Sequence, residues 1–580
     1  MANSFFNLSD LDGSNGFALN GINEGDFSGT SVSSAGDINN DGIDDLIIGA
    51  DNASPNGKNG AGQSYVVFGR RNGFRAKFEL ASLKGSNGFA INGINRNDRS
   101  GLSVSSAGDI NNDGIDDLIV GGYNTVSNVN IGSGQSYVVF GSGNGFSGNF
   151  ELSSLNGSNG FTLNSISTHG WLSYSVSSAG DINNDGIDDL IIGTSGADPK
   201  GDVGAGQSYV VFGRSNGFSA SLELSNLDGS NGFVLNGIAT DDGSEMSVSN
   251  AGDINGDGID DLIIGAWRAS PNGNRRAGQS YIVFGRSNGF SSSLELSSLN
   301  GSNGFTIKGI NAYDRLGSSV SSAGDINGDG IDDLVIGARG ADPNGNKNTG
   351  QSYVVFGSSN GFSASFDLSS LNGSNGFAIN GFAKDDGSGY SVSSAGDING
   401  DGIDDLIIGA RGADPNGNKS AGQSYVVFGS TDSFSASLEL SNLDGSNGFV
   451  LNGIAAGDRS GHSVSSAGDI NGDGIDDLVI GALTVDRNDD IVVGQSYVVF
   501  GNGTPQLDLN GGDGGTDFNT TFWDTPVSIT DSDLTLSDNS NHFVGATVTI
   551  TNLQDGAAES LTANTAGTNI SATYNSATAV

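Results

Sequence analysis

Short apolar runs set between stretches of Gly, Asn, Asp and Ser recur along residues 5–501. In the first unit, from Phe5 to Asn72, they are Gly16-Phe17-Ala18-Leu19-Asn20, Ser31-Val32-Ser33-Ser34-Ala35, Asp45-Leu46-Ile47-Ile48 and Gln63-Ser64-Tyr65-Val66-Val67-Phe68. Runs of this length, rich in β-branched and aromatic residues and closed by turn formers, predict strands. No window of helical length keeps a sustained apolar period of three to four residues, which predicts almost no helix.

The pattern then repeats. The stretch that starts at Asp37 starts again at Asp109, Asp181, Asp253, Asp325, Asp397 and Asp469, seven copies at a constant interval of 72 residues. Four strands per unit in seven like units predict an all-β fold, a seven-bladed β-propeller of four-stranded antiparallel blades over residues 1–501. An open solenoid would need atypical end units, and the first and last units match the middle ones. The small Ser-Val-Ser-Ser-Ala strand suits the crowded axis, and the Leu-Ile-Ile-Gly run suits a strand packed between blades. In that phase each blade takes its outer strand from the start of the following unit, so the last blade lacks one. The first strand, Phe17 to Asn20, is expected to close it.

The repeated motif also carries candidate chemistry. Asp37-Ile38-Asn39-Asn40-Asp41-Gly42-Ile43-Asp44-Asp45 puts oxygen side chains at positions 1, 3, 5 and 9, a glycine at 6 and a free carbonyl at 7. This is the ligand spacing of the first nine positions of an EF-hand loop, and it suits an oxygen-loving, flexibly coordinated cation such as Ca²⁺ better than Mg²⁺. The expected ligands are Asp37, Asn39, Asp41, the Ile43 carbonyl and Asp45. In the following copies they are Asp109, Asn111, Asp113, Ile115 and Asp117; Asp181, Asn183, Asp185, Ile187 and Asp189; and Asp253, Asn255, Asp257, Ile259 and Asp261. The last three copies supply Asp325, Asn327, Asp329, Ile331 and Asp333; Asp397, Asn399, Asp401, Ile403 and Asp405; and Asp469, Asn471, Asp473, Ile475 and Asp477. A single copy has the ion-free Asn-Gly or Asp-Gly turn as its lesser alternative. Seven copies with one oxygen set favour about seven Ca²⁺, one per blade.

Charge sharpens this picture. The 580 residues carry a net charge of -43, and the seven loops hold 28 of the 66 acidic residues. Such a surface repels nucleic acid and anionic membrane. There is no cysteine, and no apolar stretch approaches the roughly 20 residues of a membrane-spanning helix. The N-terminus, Met1-Ala2-Asn3-Ser4-Phe5-Phe6, lacks the pattern of a classical signal peptide.

The string from Ser247 to Ala266, followed by Gly278-Gln279-Ser280-Tyr281-Ile282-Val283-Phe284-Gly285, resembles the FG-GAP repeat of integrin alpha-subunit propellers and their bacterial surface-protein relatives. That resemblance covers roughly residues 1–501 and implies a seven-bladed propeller with calcium in the inner hairpin loops, at an extracellular or cell-surface location. The chain departs from the integrins in keeping all seven loops intact and in having no inserted domain. The Phe-Gly of the repeat's name is altered here to Phe27-Ser28-Gly29 or Leu316-Gly317.

Alternate connections of an up-and-down blade share a face, so the uniform loops lie on one face and the variable connections on the other. Ala50 to Gly62 differs sharply from its counterparts starting at Gly122, Ala266 and Ala482. Rigid scaffolds place binding residues on such loops, and aromatic and arginine side chains carry disproportionate binding energy. The candidates are Tyr123, Trp171, Trp267, Arg268, Tyr313, Arg339, Tyr390 and Arg411; drift of unconstrained loops is the competing explanation. The expected function is adhesion, or recognition of a protein or glycan, through this face by a monomeric propeller within a longer chain. A structural module of an extracellular layer and a hydrolase with its site on the variable face are the alternatives. The three histidines, His169, His462 and His542, are scattered, and no nucleophile or metalloprotease motif occurs; the chain is therefore not expected to be an enzyme. Residues 502–518 form a Gly/Asp-rich linker, and 519–580 alternate like strands of a partial β-sandwich that resembles a cadherin-like module.

Overall fold

The computed structural model describes residues 5–502 apart from 124–133, 166–170, 196, 199–203, 240–246 and 486–491, and beyond them 506–508 and 535–537. Seven sheets, each built around one copy of the repeat, make up the unit Met1–Gly503. In the first blade the inner strand Val32–Gly36 is followed by Asp45–Ala50, Gln63–Val67 and the outer strand Gly88–Asn92, all antiparallel. The last of these comes from the second unit. The final blade runs from Ser463–Gly468 through Asp477–Ala482 to Gln495–Val499, and its outer strand is Gly16–Asn20. Phe17 sits opposite Val498 and Leu19 opposite Ser496, so the first strand closes the ring as the phase of the units predicts.

The blades have five strands rather than the expected four. A strand of two or three residues pairs in parallel outside each outer strand: Asn149–Glu151 on Gly88–Asn92, Lys77–Glu79 on Gly16–Asn20, and the two-residue Ser365–Phe366 on Gly304–Lys308. Each comes from the unit after the one that supplies the outer strand, so a blade draws on three successive units. Phe5–Asn7 completes the sixth blade in the same way, pairing with Gly448–Asn452. A side-chain relay ties the three contributions together. Tyr65 Oη donates to Gln63 Oε1 at 2.8 Å, Gln63 Nε2 to Asn92 Oδ1 at 2.6 Å, and Asn92 Nδ2 to Glu151 Oε1 at 2.7 Å.

The core lies between blades. Leu46 and Ile48 pack with Tyr65 and Val67 against the last blade's Val479 and Val498, whereas Ile47 and Val66 face Leu118 and Val120 of the second blade. Both faces of the central strands are covered, which is why they read as continuous apolar runs rather than alternating ones. At the rim, the Phe of six of the seven Gly-Phe outer strands stacks on a Phe of the next unit, Phe449 being the exception. Phe17 on Phe74 and Phe89 on Phe146 both have centroids 4.1 Å apart.

Around the axis the small residues foreseen for the inner strand do more than fit. The backbone N–H of each inner Val donates to a Ser hydroxyl one blade back, as Val104 does to Ser31 and Val176 to Ser103 at 3.1 Å. Val32 donates to Ser463, closing the circle at the same distance. Backbones approach so closely there that a Cβ on Gly49 would strike the carbonyl oxygen of Gly101 in the second blade.

A separate unit spans Thr504–Val580, and in it Gln506–Asp508 pairs antiparallel with Thr535–Ser537. The rest of the expected linker and cadherin-like segment lies outside the described residues.

Candidate metal loops and a ligand face

Each nonapeptide joins the inner strand to the second strand. Asp37 accepts from the backbone N–H groups of Asp41 at 2.9 Å and Gly42 at 2.7 Å, which folds the loop back on its first residue. Gly42 takes φ 81°, a left-handed conformation that a side chain would strain. Asn39 Nδ2 lies 2.9 Å from Asp45 Oδ2, bringing positions 3 and 9 together. In the second loop Asp113 at position 5 accepts from the N–H of Ile115 at position 7, at 3.1 Å, and the same bond joins Asp185 to Ile187, Asp257 to Ile259, Asp329 to Ile331, Asp401 to Ile403 and Asp473 to Ile475.

Position 9 is the least comfortable member. Asp45, Asp117, Asp189, Asp261, Asp333, Asp405 and Asp477 are fully buried. Burial first, with Asp41 and Asp37 nearby adding repulsion, pushes the Asp45 carboxyl up to about 8 although Gly69 N–H and Asn39 donate to it. Carboxylates held in this way favour a cation among them. Among the described residues no three Asp, Glu or His side chains close on a common point by themselves, because the first Asp turns to the backbone. The donor set is instead mixed, with carboxylate, amide and carbonyl oxygens in one nine-residue loop. A side-chain amide can present either end with the same shape, so Asn39 can meet a cation with its oxygen. The loops are consistent with calcium binding.

Position 8, to which loop spacing assigns no ligand, has a role between blades. Asp116 Oδ2 accepts from the N–H of Asp37 one blade back at 2.9 Å. Asp188, Asp260, Asp332, Asp404 and Asp476 do the same for Asp109, Asp181, Asp253, Asp325 and Asp397. Asp44 completes the ring by accepting from Asp469. The signal was present in the sequence as an Asp in every copy.

The opposite ends of the inner strands carry the variable residues, and several of these come together. The Arg268 guanidinium stands 4.8 Å from the centroid of the Trp267 ring, and Arg315 and Arg339 stand 5.6 and 5.5 Å from the same ring. Arg339 also lies 4.9 Å from Tyr390, whose ring Arg411 covers at 3.7 Å. Arg411 Nη1 donates to His462 Nδ1 at 3.1 Å. Tyr123 meets Tyr174 edge-on, and Tyr174 is within electrostatic reach of Tyr390 and Arg339. Tyr313 stands apart from this group, 48% exposed and paired with Arg275. Trp171 opens the inner strand of the third blade, and its side chain lies outside the described residues. Arg315, Tyr174 and His462 are additions that sequence reasoning missed.

His462 gives the cluster a pH signature. Burial first, then Arg411, Arg459 and Arg339, push its imidazole down to about 3. In the unfolded chain it takes a proton near its ordinary value of about 6.5. Between those values the unfolded state binds the extra proton, so this residue's contribution to stability is intact above about pH 6.5 and is lost as pH falls toward 3. His462→Gln is expected to melt with a shallower acid slope than the parent between pH 6.5 and 4, and thermal melts of both proteins across that range measure it.

Comparison with known proteins bears on both features. The FG-GAP repeat model matches residues 28–67, 173–211, 246–283, 316–355 and 388–427, each running from an inner strand to the third strand of a blade. The chain carries FG-GAP repeats. The second and seventh blades carry the same nonapeptide pattern, starting at Asp109 and Asp469 and differing only at its fourth position, Asn112 against Gly472. Bovine (Bos taurus) phosphatidylinositol-glycan-specific phospholipase D is 33% identical over 181 residues, 31% of this chain and 20% of that protein. The protein of that name from Dictyostelium discoideum is 29% identical over 320 residues, 52% of this chain and 31% of that one. Integrin alpha-5 of Xenopus laevis is 27% identical over 256 residues, 42% of this chain and 20% of the integrin. The chain thus spans about a fifth to a third of the length of these relatives. The phospholipase matches overturn the expectation that the chain is not an enzyme. That expectation rested on the lack of a local nucleophile or metal-protease motif, and a site assembled from the loops of several blades leaves no such motif.

Proposed function

We propose that this chain is a calcium-loaded FG-GAP propeller that works in phosphodiester hydrolysis, with the variable face receiving a glycan-linked substrate. The observation that carries this reading is the gathering of Trp267, Arg339, Tyr390, Arg411 and His462, from four successive repeats, around one end of the axis. It is supported by relatives named for a phospholipase that acts on phosphatidylinositol-glycan. Guanidinium groups neutralise phosphate charge in bidentate geometry, and placing them on loops over a rigid ring keeps them in position. The seven loops, one per blade, hold the opposite face and stabilise the ring when loaded with Ca²⁺ through the position 1, 3, 5, 7 and 9 ligands.

The purified chain, saturated with calcium, is expected to release a phosphatidylinositol-glycan-anchored reporter protein from vesicles, and Arg339→Ala/Arg411→Ala to release it at least tenfold more slowly. No release above the vesicle blank at any calcium concentration refutes the hydrolytic reading. The integrin matches favour a second reading, recognition of a partner by the same face without turnover. In that case the reporter vesicles are retained by the immobilised chain and stay intact.

A further inference from the structure

The arginines of the variable face are placed against the charge economy of the molecule. Only 23 Lys and Arg stand against 66 acidic residues in the chain, yet among the described residues no carboxylate lies within ion-pair distance of Arg315, Arg339 or Arg411. The three are half-buried. The Nε of Arg315 and that of Arg339 are enclosed without a hydrogen-bond partner. Burial first, and then neighbouring guanidiniums, lower the proton affinity of Arg315 and of Arg411. Ring faces of Trp267 and Tyr390 supply part of the missing counter-charge, but a quadrupole does not satisfy the N–H donors.

The same guanidiniums line a cavity of about 310 Å³. Its wall is asymmetric. Arg315, Arg339 and Arg411 stand with Asn348, Asp385 and Asp386 around it. Neither carboxyl is committed to an arginine: Asp385 is held by Asn348 Nδ2 at 2.9 Å and lies 3.5 Å from Lys384 Nζ. Asp386 is buried, and burial first, followed by Asp414 and Asp385, raises it to about 7. A volume at the lower end of the range for small-molecule pockets, about 300–1,000 Å³, is large for a bare tetrahedral oxyanion. It suits an oxyanion carried on a ring whose hydroxyls meet the amide and carboxyl groups.

We propose that this cavity is a binding site for a phosphate- or sulfate-bearing sugar, with Arg315, Arg339 and Arg411 on the oxyanion and Asn348, Asp385 and Asp386 on the hydroxyls. The site deepens the hydrolytic reading by naming the chemistry of the ligand, yet it requires no turnover. Tetrahedral oxyanions offer the unpaired N–H groups short, charge-assisted hydrogen bonds, and stacking leaves the guanidinium edges free to make them. Binding at guanidiniums carries a salt dependence, since exposed charge interactions are screened.

The test uses the full chain with calcium and follows calorimetric titration with glucose 6-phosphate, glucose 6-sulfate, inorganic phosphate and glucose. Expected results are one saturable site for each charged sugar, weaker binding of inorganic phosphate, none of glucose, and weakening as sodium chloride is raised. Arg339→Ala/Arg411→Ala should lose at least tenfold in affinity. Because that variant also removes packing on Tyr390, Arg315→Gln is measured beside it, and both must retain the parent melting temperature in calcium. No saturable binding of either charged sugar, inorganic phosphate binding as tightly as the sugar esters, or unchanged affinity in both folded variants overturns the proposal. Binding without release of the anchored reporter leaves this site standing while the hydrolytic reading falls, and release without oxyanion binding does the reverse.

Discussion

Stripping calcium from the loaded protein with a chelator is expected to lower its melting temperature by at least about 10 °C, and returning Ca²⁺ to restore it. A ligand that binds only the folded state stabilises by about 2.7 kcal/mol at one hundred times its dissociation constant, and seven like sites multiply that. The effect is large here because each loop buries a position-9 carboxylate completely, Asp45 in the first blade and Asp477 in the last, with further Asp groups close by. Without a cation the fold must keep those groups protonated or suffer their repulsion. Calorimetry should count about seven ions, and Asp189→Asn should remove one without abolishing the others. Mg²⁺ should substitute poorly, because a loop of carbonyl, amide and carboxylate donors is too adaptable for its strict octahedron. A melting temperature unmoved by chelator would remove the metal from the account.

Deleting residues 1–20 is expected to abolish the single cooperative melt and to yield dimers or larger assemblies. The deletion strips Gly16–Asn20 from Gln495–Val499 and Phe5–Asn7 from Gly448–Asn452, so two neighbouring blades lose a strand at once. It also removes Phe17, fully buried and stacked on Phe74. An uncovered strand edge is a template for pairing with another chain, including a second copy. Phe17→Ala alone should cost about 3–5 kcal/mol, enough to separate loss of the side chain from loss of the strand. Light scattering after size exclusion, with a thermal melt of each variant, makes the measurement. A monomeric deletion variant that melts like the parent would show that ring closure does not depend on this strand.

Much of the fold was legible because it rests on period. A 72-residue interval counts the blades, and the phase of the strands within it identifies Phe17 to Asn20 as the closing strand. The fifth strand was not legible. Lys77-Phe78-Glu79 is only three residues long, one apolar between two charged, and what makes it a strand is the register of Ala18 to Asn20 beside it. The loops show the same division. Positions 1, 3, 5 and 9 were named from spacing, but Asp116 makes its bond to Asp37 across a blade boundary, and no rule based on separation within one loop finds a partner 79 residues away. On the variable face, residue type pointed to Trp267, Arg268, Arg339, Tyr390 and Arg411. Their meeting, and the inclusion of Arg315 and His462, depend on the curvature of the ring, which places the ends of inner strands from different repeats side by side. Tyr313 shows the limit of residue type as a guide, since it has the right chemistry and stands elsewhere.

The serine circle around the axis has one more consequence. Among the described residues the strand pairings of the ring lie within a unit or between units one or two apart around it, so a shorter or longer array in the same 72-residue phase would meet the same local demands. Nothing within a single repeat says seven. Neighbouring inner strands are joined by the bond from each Val N–H to the Ser hydroxyl one blade back, together with the position-8 Asp bonds and the apolar packing between blades. The fit between blades is therefore shared around the circle: each hydroxyl belongs to one blade and serves the next, so a change at that position bears on a join between two blades rather than on one blade alone.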